Sequence, residues 1–124
     1  MNNKELLLKD CISSVRAFHD AFLIDNEDAP LATINERDYV LRHRFMMEEN
    51  DEYLDAAKNG DLVEIADALG DMLYILCGTI LKHGMQHKIE EVFNEIQKSN
   101  MSKLDENGKP IYREDGKILK SNQY

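Results

Sequence analysis

Apolar residues return every three or four positions along the start of the chain: Leu7, Cys11, Val15, Phe18 and Phe22 stand at steps of four, four, three and four. With 3.6 residues per turn that series stays on one side, so an amphipathic helix is predicted from Lys4 to about Ile24. The period lapses over Asp25 to Thr33, "DNEDAPLAT", where acids, Ala-Pro and Thr offer turn chemistry, and a loop is predicted. A second long helix is predicted over Glu36 to Lys58, with Asn35 as N-cap and Asn59-Gly60 as a left-handed stop. Asp61 follows as the next N-cap, with Glu64 three residues on in the capping-box position. That third helix runs from Leu62 to about His83 and stops at Gly84, and a fourth spans Gln86 to Lys98.

Beyond Lys98 the character changes. In "SNMSKLDENGKPIYREDGKILKSNQY" the dipeptides Asn107-Gly108 and Asp115-Gly116 bound short segments holding Ile111, Tyr112, Ile118 and Leu119, which reads as a small hairpin or ordered loop. No internal repeat is present. The expected fold is therefore all-α: an antiparallel helical bundle of about four helices with a short hairpin-like C-terminal tail. One domain is expected over residues 1–124, with a helical core at 4–99 and the tail at 100–124.

The stretch from Met46 to Ile80, "MMEENDEYLDAAKNGDLVEIADALGDMLYILCGTI", carries nine acidic residues among apolar ones. On the third helix Glu64, Asp67 and Asp71 stand at i, i+3 and i+7, within a stripe roughly 60° wide. Such a row is ordinarily the solvated face of an amphipathic helix. Here its continuation is Ile75 and Gly78, flanked by Ala68, and from Ala66 to Ile80 only Asp67, Asp71 and Thr79 depart from apolar, glycine, tyrosine or cysteine. A helix apolar all round should be the buried central one, which puts the two aspartates inside it or at its edge, where an unpaired charge is costly.

The preceding helix supplies Glu48, Glu49 and Glu52 in the pattern EExxE, while Asp51 and Asp55 are expected to face solvent. Like charges at i, i+3 and i+4 destabilise a lone helix, so something must offset them. A tight turn at Asn59-Gly60 folds the two helices antiparallel and brings residues 49 and 52 to a depth similar to that of 67 and 71. Convergent carboxylates without cysteine or clustered histidine are hard donors, suited to Mg²⁺ or Mn²⁺ and poorly suited to zinc. A site of that kind keeps water and takes its remaining ligands from substrate phosphates.

Charge limits the partners. Net charge is −9, with 10 Lys/Arg against 20 Asp/Glu over residues 1–99 and five against four over 100–124. A broad basic face for nucleic acid is excluded, because such binding is driven by phosphate neutralisation. Cys11 and Cys77 have no CxxC pairing and read as reduced core thiols. The N-terminal "MNNKELLLKD" lacks the apolar run of a signal peptide and no stretch reaches the ~18 residues of a membrane span, so no membrane partner and a cytoplasmic location are expected.

EExxE on one helix, a short turn, an acidic row before the apolar "MLY", and the "SNMSK" tail together resemble the all-α nucleoside triphosphate pyrophosphohydrolase superfamily, which includes MazG-like proteins and phosphoribosyl-ATP pyrophosphatase. The likeness is best to the phosphoribosyl-ATP-pyrophosphatase-like branch and covers nearly the whole chain. It implies Mg²⁺-dependent cleavage of a (d)NTP or phosphoribosyl-ATP-like nucleotide between the α and β phosphates, giving a monophosphate and pyrophosphate. It implies Glu49 and Glu52 as metal ligands and Glu48 as the residue that orients or deprotonates the attacking water. The family's later ExxD is where this sequence departs: if Asp71 is its aspartate, Ala68 stands where the glutamate should be. If instead Glu64 and Asp67 are the ExxD pair, the register shifts by one helical turn; Asp67, at i, i+4 from Asp71, is favoured as the replacement, with Glu64 either a capping residue or an outer ligand. The same departure supports an alternative, a non-catalytic helical module that keeps the fold and binds a nucleotide or a protein partner.

Asn100, Lys103, Lys117 and Lys120 lie in the tail that shares the resemblance and are candidates to close over the triphosphate or base; a solvated lysine is an equally ordinary reading of each. Arg42 and Arg44 precede EExxE by one or two turns and either meet phosphates or pair with nearby acids. Phe18-His19 also resembles a pair in that branch, although one histidine on an apolar helix is more often a satisfied core residue. The resemblance further implies a homodimer or homotetramer with sites lined partly by a second chain, and the long first loop leaves helix one long enough a tether to pack on a neighbour.

Overall fold

A computed structural model of the protein describes residues 5–112. These form an all-α structure of four helices, α1 (Leu8–Ala21), α2 (Glu36–Lys58), α3 (Leu62–Lys82) and α4 (Ile89–Met101). The caps that the sequence announces are made. The Asn35 side chain accepts the Arg37 N–H at 2.8 Å, and Asp61 Oδ1 accepts the Glu64 N–H at 3.2 Å. Between α2 and α3, Gly60 takes φ +64° while its N–H donates to the Ala57 carbonyl and the Asp61 N–H donates to that of Ala56. Only glycine enters that left-handed conformation without a Cβ cost of about 1 kcal/mol, so Asn59-Gly60 reverses the chain sharply.

Two compact units result, residues 1–87 with α1 to α3 and residues 88–124 with α4. In the first unit α3 packs antiparallel against both α2 and α1. Their shared core is small: Ile12 and Val15 from α1, Ala56 from α2, and Ala68, Cys77, Ile80 and Leu81 from α3. His19, Arg42 and Lys82 are buried with it. The loop after α1 is ordered because it caps the end of α3: the Glu27 N–H donates to the Leu81 carbonyl, the Leu31 N–H to that of His83, and Lys82 Nζ to that of Asp25. Among the described residues no helix is long and apolar enough to cross a membrane.

Three expectations need correction. The first helix begins at Leu8 and ends at Ala21, short of Ile24, because Leu23 adopts φ +58° and the Ile24 N–H donates back to the His19 carbonyl in a Schellman turn. A leucine at that left-handed position gives no sequence signal. The fourth helix starts at Ile89 after a turn and continues through Met101, so Asn100 belongs to its last turn and not to the tail. Third, α3 is not covered on all sides. Leu69, Leu73, Tyr74 and Leu76 are 43–51% exposed, since α1 and α2 occupy only part of its circumference. In the tail, Asn107-Gly108 does turn the chain, with Asp105 Oδ1 accepting the N–H groups of Asn107 and Lys109; Asp115-Gly116, Ile118 and Leu119 fall outside the described residues.

Candidate metal centre between α2 and α3

Glu49 and Glu52 lie one turn apart on the α2 face that meets α3, and Asp71 lies on the α3 face opposite. One carboxylate oxygen from each stands within 4.8 Å of the other two. Glu49 and Asp71 are half-buried, and Glu52 is exposed. Glu49 Oε2 is buried without any hydrogen-bond partner among the described residues. Burial, followed by a proton shared with Glu52 and by the charges of Glu52, Asp71 and Asp67, pushes the Glu49 carboxyl up to about 7. Asp71 is raised as well, first by burial and then by Asp67 and Glu52. A partly desolvated group of carboxylates whose charges oppose one another is what a bound cation would relieve.

Asp67 is exposed, yet its charge acts on both Glu49 and Asp71. It also lines a groove of about 490 Å³ with Glu52, Asp55, Asn59, Glu64 and Ala68. Ala68 itself is 2% exposed and belongs to the core. Glu64 is not spent on a reciprocal capping box, because the Asp61 N–H donates to the Ala56 carbonyl; it is exposed and lines the groove. Asp55 is exposed, as expected, on the wall of this open groove, three residues after Glu52, with Asn59 a turn further on.

The remaining candidates stand apart from the three carboxylates. Glu48 is exposed on α2 and outside the trio, and Arg44 is exposed on the same helix. Asn100 lies in the second unit, lining a groove of about 650 Å³ along α4 with Val92 and Ile96, and Lys103 follows it half-buried. Lys117 and Lys120 fall outside the described residues. His19 is a satisfied core residue: 2% exposed, its Nδ1 2.6 Å from Asn26 Oδ1, and its pKa lowered chiefly by burial.

As donors, three carboxylates with an unpaired buried oxygen fit a hard divalent cation and no soft metal. A family model described as phosphoribosyl-ATP pyrophosphohydrolase matches residues 15–100, a span that includes α2 and α3 whole. No curated protein matches the chain.

Proposed function

Because the chain belongs to the phosphoribosyl-ATP pyrophosphohydrolase family, we propose that it is a Mg²⁺-dependent nucleotide pyrophosphohydrolase. It would cleave a (d)NTP or phosphoribosyl-ATP-like nucleotide between the α and β phosphates. The observation that carries this reading is the convergence of Glu49, Glu52 and Asp71, with Glu49 Oε2 left unpartnered inside the cluster. These three residues would hold Mg²⁺ or Mn²⁺, with Asp67 as a further ligand in the place Ala68 cannot fill and Glu64 in an outer position. A cation bound there supplies charge neutralisation for the phosphates and acidifies a coordinated water.

The chain's own residues do the rest. Glu48, on the open side of α2, takes the proton of the attacking water. Arg44, Asn100, Lys103, Lys117 and Lys120 hold the phosphates and the nucleoside, bringing positive charge to a molecule that is otherwise acidic. The exposed apolar side of α3 is covered by a second copy, so the working form is a homodimer or homotetramer.

A hydrolysis screen over (d)NTPs and phosphoribosyl-ATP, with Mg²⁺ or Mn²⁺ and pyrophosphate release as readout, tests the activity. At least one substrate should be turned over, and the Asp71→Asn variant should lose that turnover while keeping its helix content. No pyrophosphate from any of these nucleotides would sink the proposed activity. Full activity in Asp71→Asn would remove Asp71 from the metal site.

A further inference from the structure

Arg42 has no part in the chemistry above, yet it is 8% exposed and no carboxylate is in ion-pair contact with it among the described residues. Its guanidinium is spent on α3. Nε donates to Thr79 Oγ1 at 3.1 Å and Nη2 donates to the Ile75 carbonyl at 2.8 Å, while the Thr79 hydroxyl donates to the same carbonyl at 2.9 Å. The Phe45 ring lies 5.4 Å from the guanidinium carbon. The fork enters α3 at Gly78, where a Cβ would collide with Arg42 Nη2 and stand 3.0 Å from His19 Nε2. The contact therefore depends on a glycine inside a helix, one turn before its end, which is otherwise an unfavourable choice.

The clamp and the carboxylates share one seam. Arg42 precedes Glu49 by seven residues, two turns, so both stand on the same side of α2 with a rise of about 10 Å between them. Ile75 follows Asp71 by four residues, one turn along α3. The trio itself offers nothing to hold the helices together before a cation arrives, since its charges repel. Between clamp and trio the seam is apolar and shallow, with Phe45 and Ile75 only half-buried, and apolar contact alone permits sliding. A planar fork bonded to two neighbouring points on α3 does not. A buried guanidinium with no carboxylate in contact is costly, even with the charge of Asp38 acting on it, whereas a methionine of similar volume would pack without that cost; the arginine is the residue for fixing register.

We propose that Arg42, seated in the Gly78 notch and bonded to Ile75 and Thr79, is the positioning residue that sets the register of α2 on α3 and so the gap in which Glu49, Glu52 and Asp71 hold a divalent cation. This rests on the metal-site reading above.

The test is Mn²⁺ binding to the full-length chain, by calorimetry and by the EPR signal of free Mn²⁺, at a temperature where circular dichroism shows every variant folded. Arg42→Gln should weaken Mn²⁺ about 10-fold or more, the range seen when residues that orient metal ligands are removed. Thr79→Val should weaken it less, and Arg42→Lys should recover part of the loss. Val15→Ala, a core change away from the seam, should lower thermal stability and leave Mn²⁺ affinity as in the wild type. A folded Arg42→Gln that binds as the wild type does overturns the proposal, as does Val15→Ala weakened to the same degree. Should Arg42→Gln fail to fold, Thr79→Val decides, and unchanged affinity there overturns it. In these outcomes the wild type binds Mn²⁺ and the metal site survives; a wild type that binds none removes the metal site and this proposal together.

Discussion

An ionised Glu49 has one buried oxygen without a donor and three carboxylates around it, so in the metal-free chain its proton is retained up to about pH 7. The unfolded chain releases the same proton near 4.5. Between these values the folded state binds more protons than the unfolded one, so metal-free stability falls as pH rises from 4.5 to 7 and then levels off. Asp71, raised first by burial and then by Asp67 and Glu52, contributes to stability with the same sign. Glu49→Gln keeps the shape and removes the charge. In EDTA at pH 8 this variant should be more stable than the wild type by about 1–2 kcal/mol, after discounting for solvent screening, which is several degrees in Tm. It should also show a flatter pH profile. With saturating Mn²⁺ the order should invert, because a metal ligand must be deprotonated and Gln cannot serve. Thermal melts of both proteins at pH 5 and 8, with EDTA and with Mn²⁺, check the four values; a Glu49→Gln protein less stable than wild type in EDTA at pH 8 would refute the strain.

On α3 two glycines have opposite expected effects. Gly70 has nothing within 4 Å of where a Cβ would stand, so Gly70→Ala should stabilise the chain by about 0.5–1 kcal/mol through helix propensity. Gly78→Ala gains the same propensity but drives its methyl into Arg42 and His19, and should destabilise by about 1–3 kcal/mol net. Urea unfolding of the two variants measures the difference, and equal effects would mean that the Gly78 notch is not needed. This helix also shows how far the sequence could be read. Asp61, Asn35 and Asn59-Gly60 announce element ends through chemistry local to a few residues, and those ends are where they were expected. The meeting of Glu49 and Glu52 with Asp71 was legible because helical period and one tight turn suffice to bring them together. Asp51 and Asp55 are exposed, as their spacing away from the trio implied. The Leu23 turn and the Arg42 clamp were out of reach: the first depends on a backbone conformation that leucine does not signal, the second on the depth at which one helix crosses another.

For the whole molecule, the apolar surface exceeds what the described packing buries. On α3, Leu69, Leu73 and Leu76 repeat at i, i+4 and i+7 and are 45–51% exposed, and Tyr74 beside them meets Phe18 of α1 edge-on at 5.8 Å. Phe22, 66% exposed, stacks on Phe18 at 4.5 Å and extends the patch. Exposed apolar residues grouped in this way are what the proposed second copy would cover. An isologous dimer can cover it with the same face of a second copy. Sedimentation equilibrium at micromolar concentration should then return at least twice the 14.3 kDa of one chain. Since the patch holds no charged residue, raising the salt should not dissociate the oligomer, and by weakening repulsion between chains of net charge −9 it should if anything tighten it. Leu73→Glu with Leu76→Glu places four carboxylates across a two-fold interface, so the double variant should sediment as a monomer and melt lower. The wild-type Tm should rise with protein concentration, and the variant's should not. A wild type that sediments as a monomer at tens of micromolar, with a Tm independent of concentration, would show that α3 is stable with this face in water and that the carboxylate seam is complete within one chain.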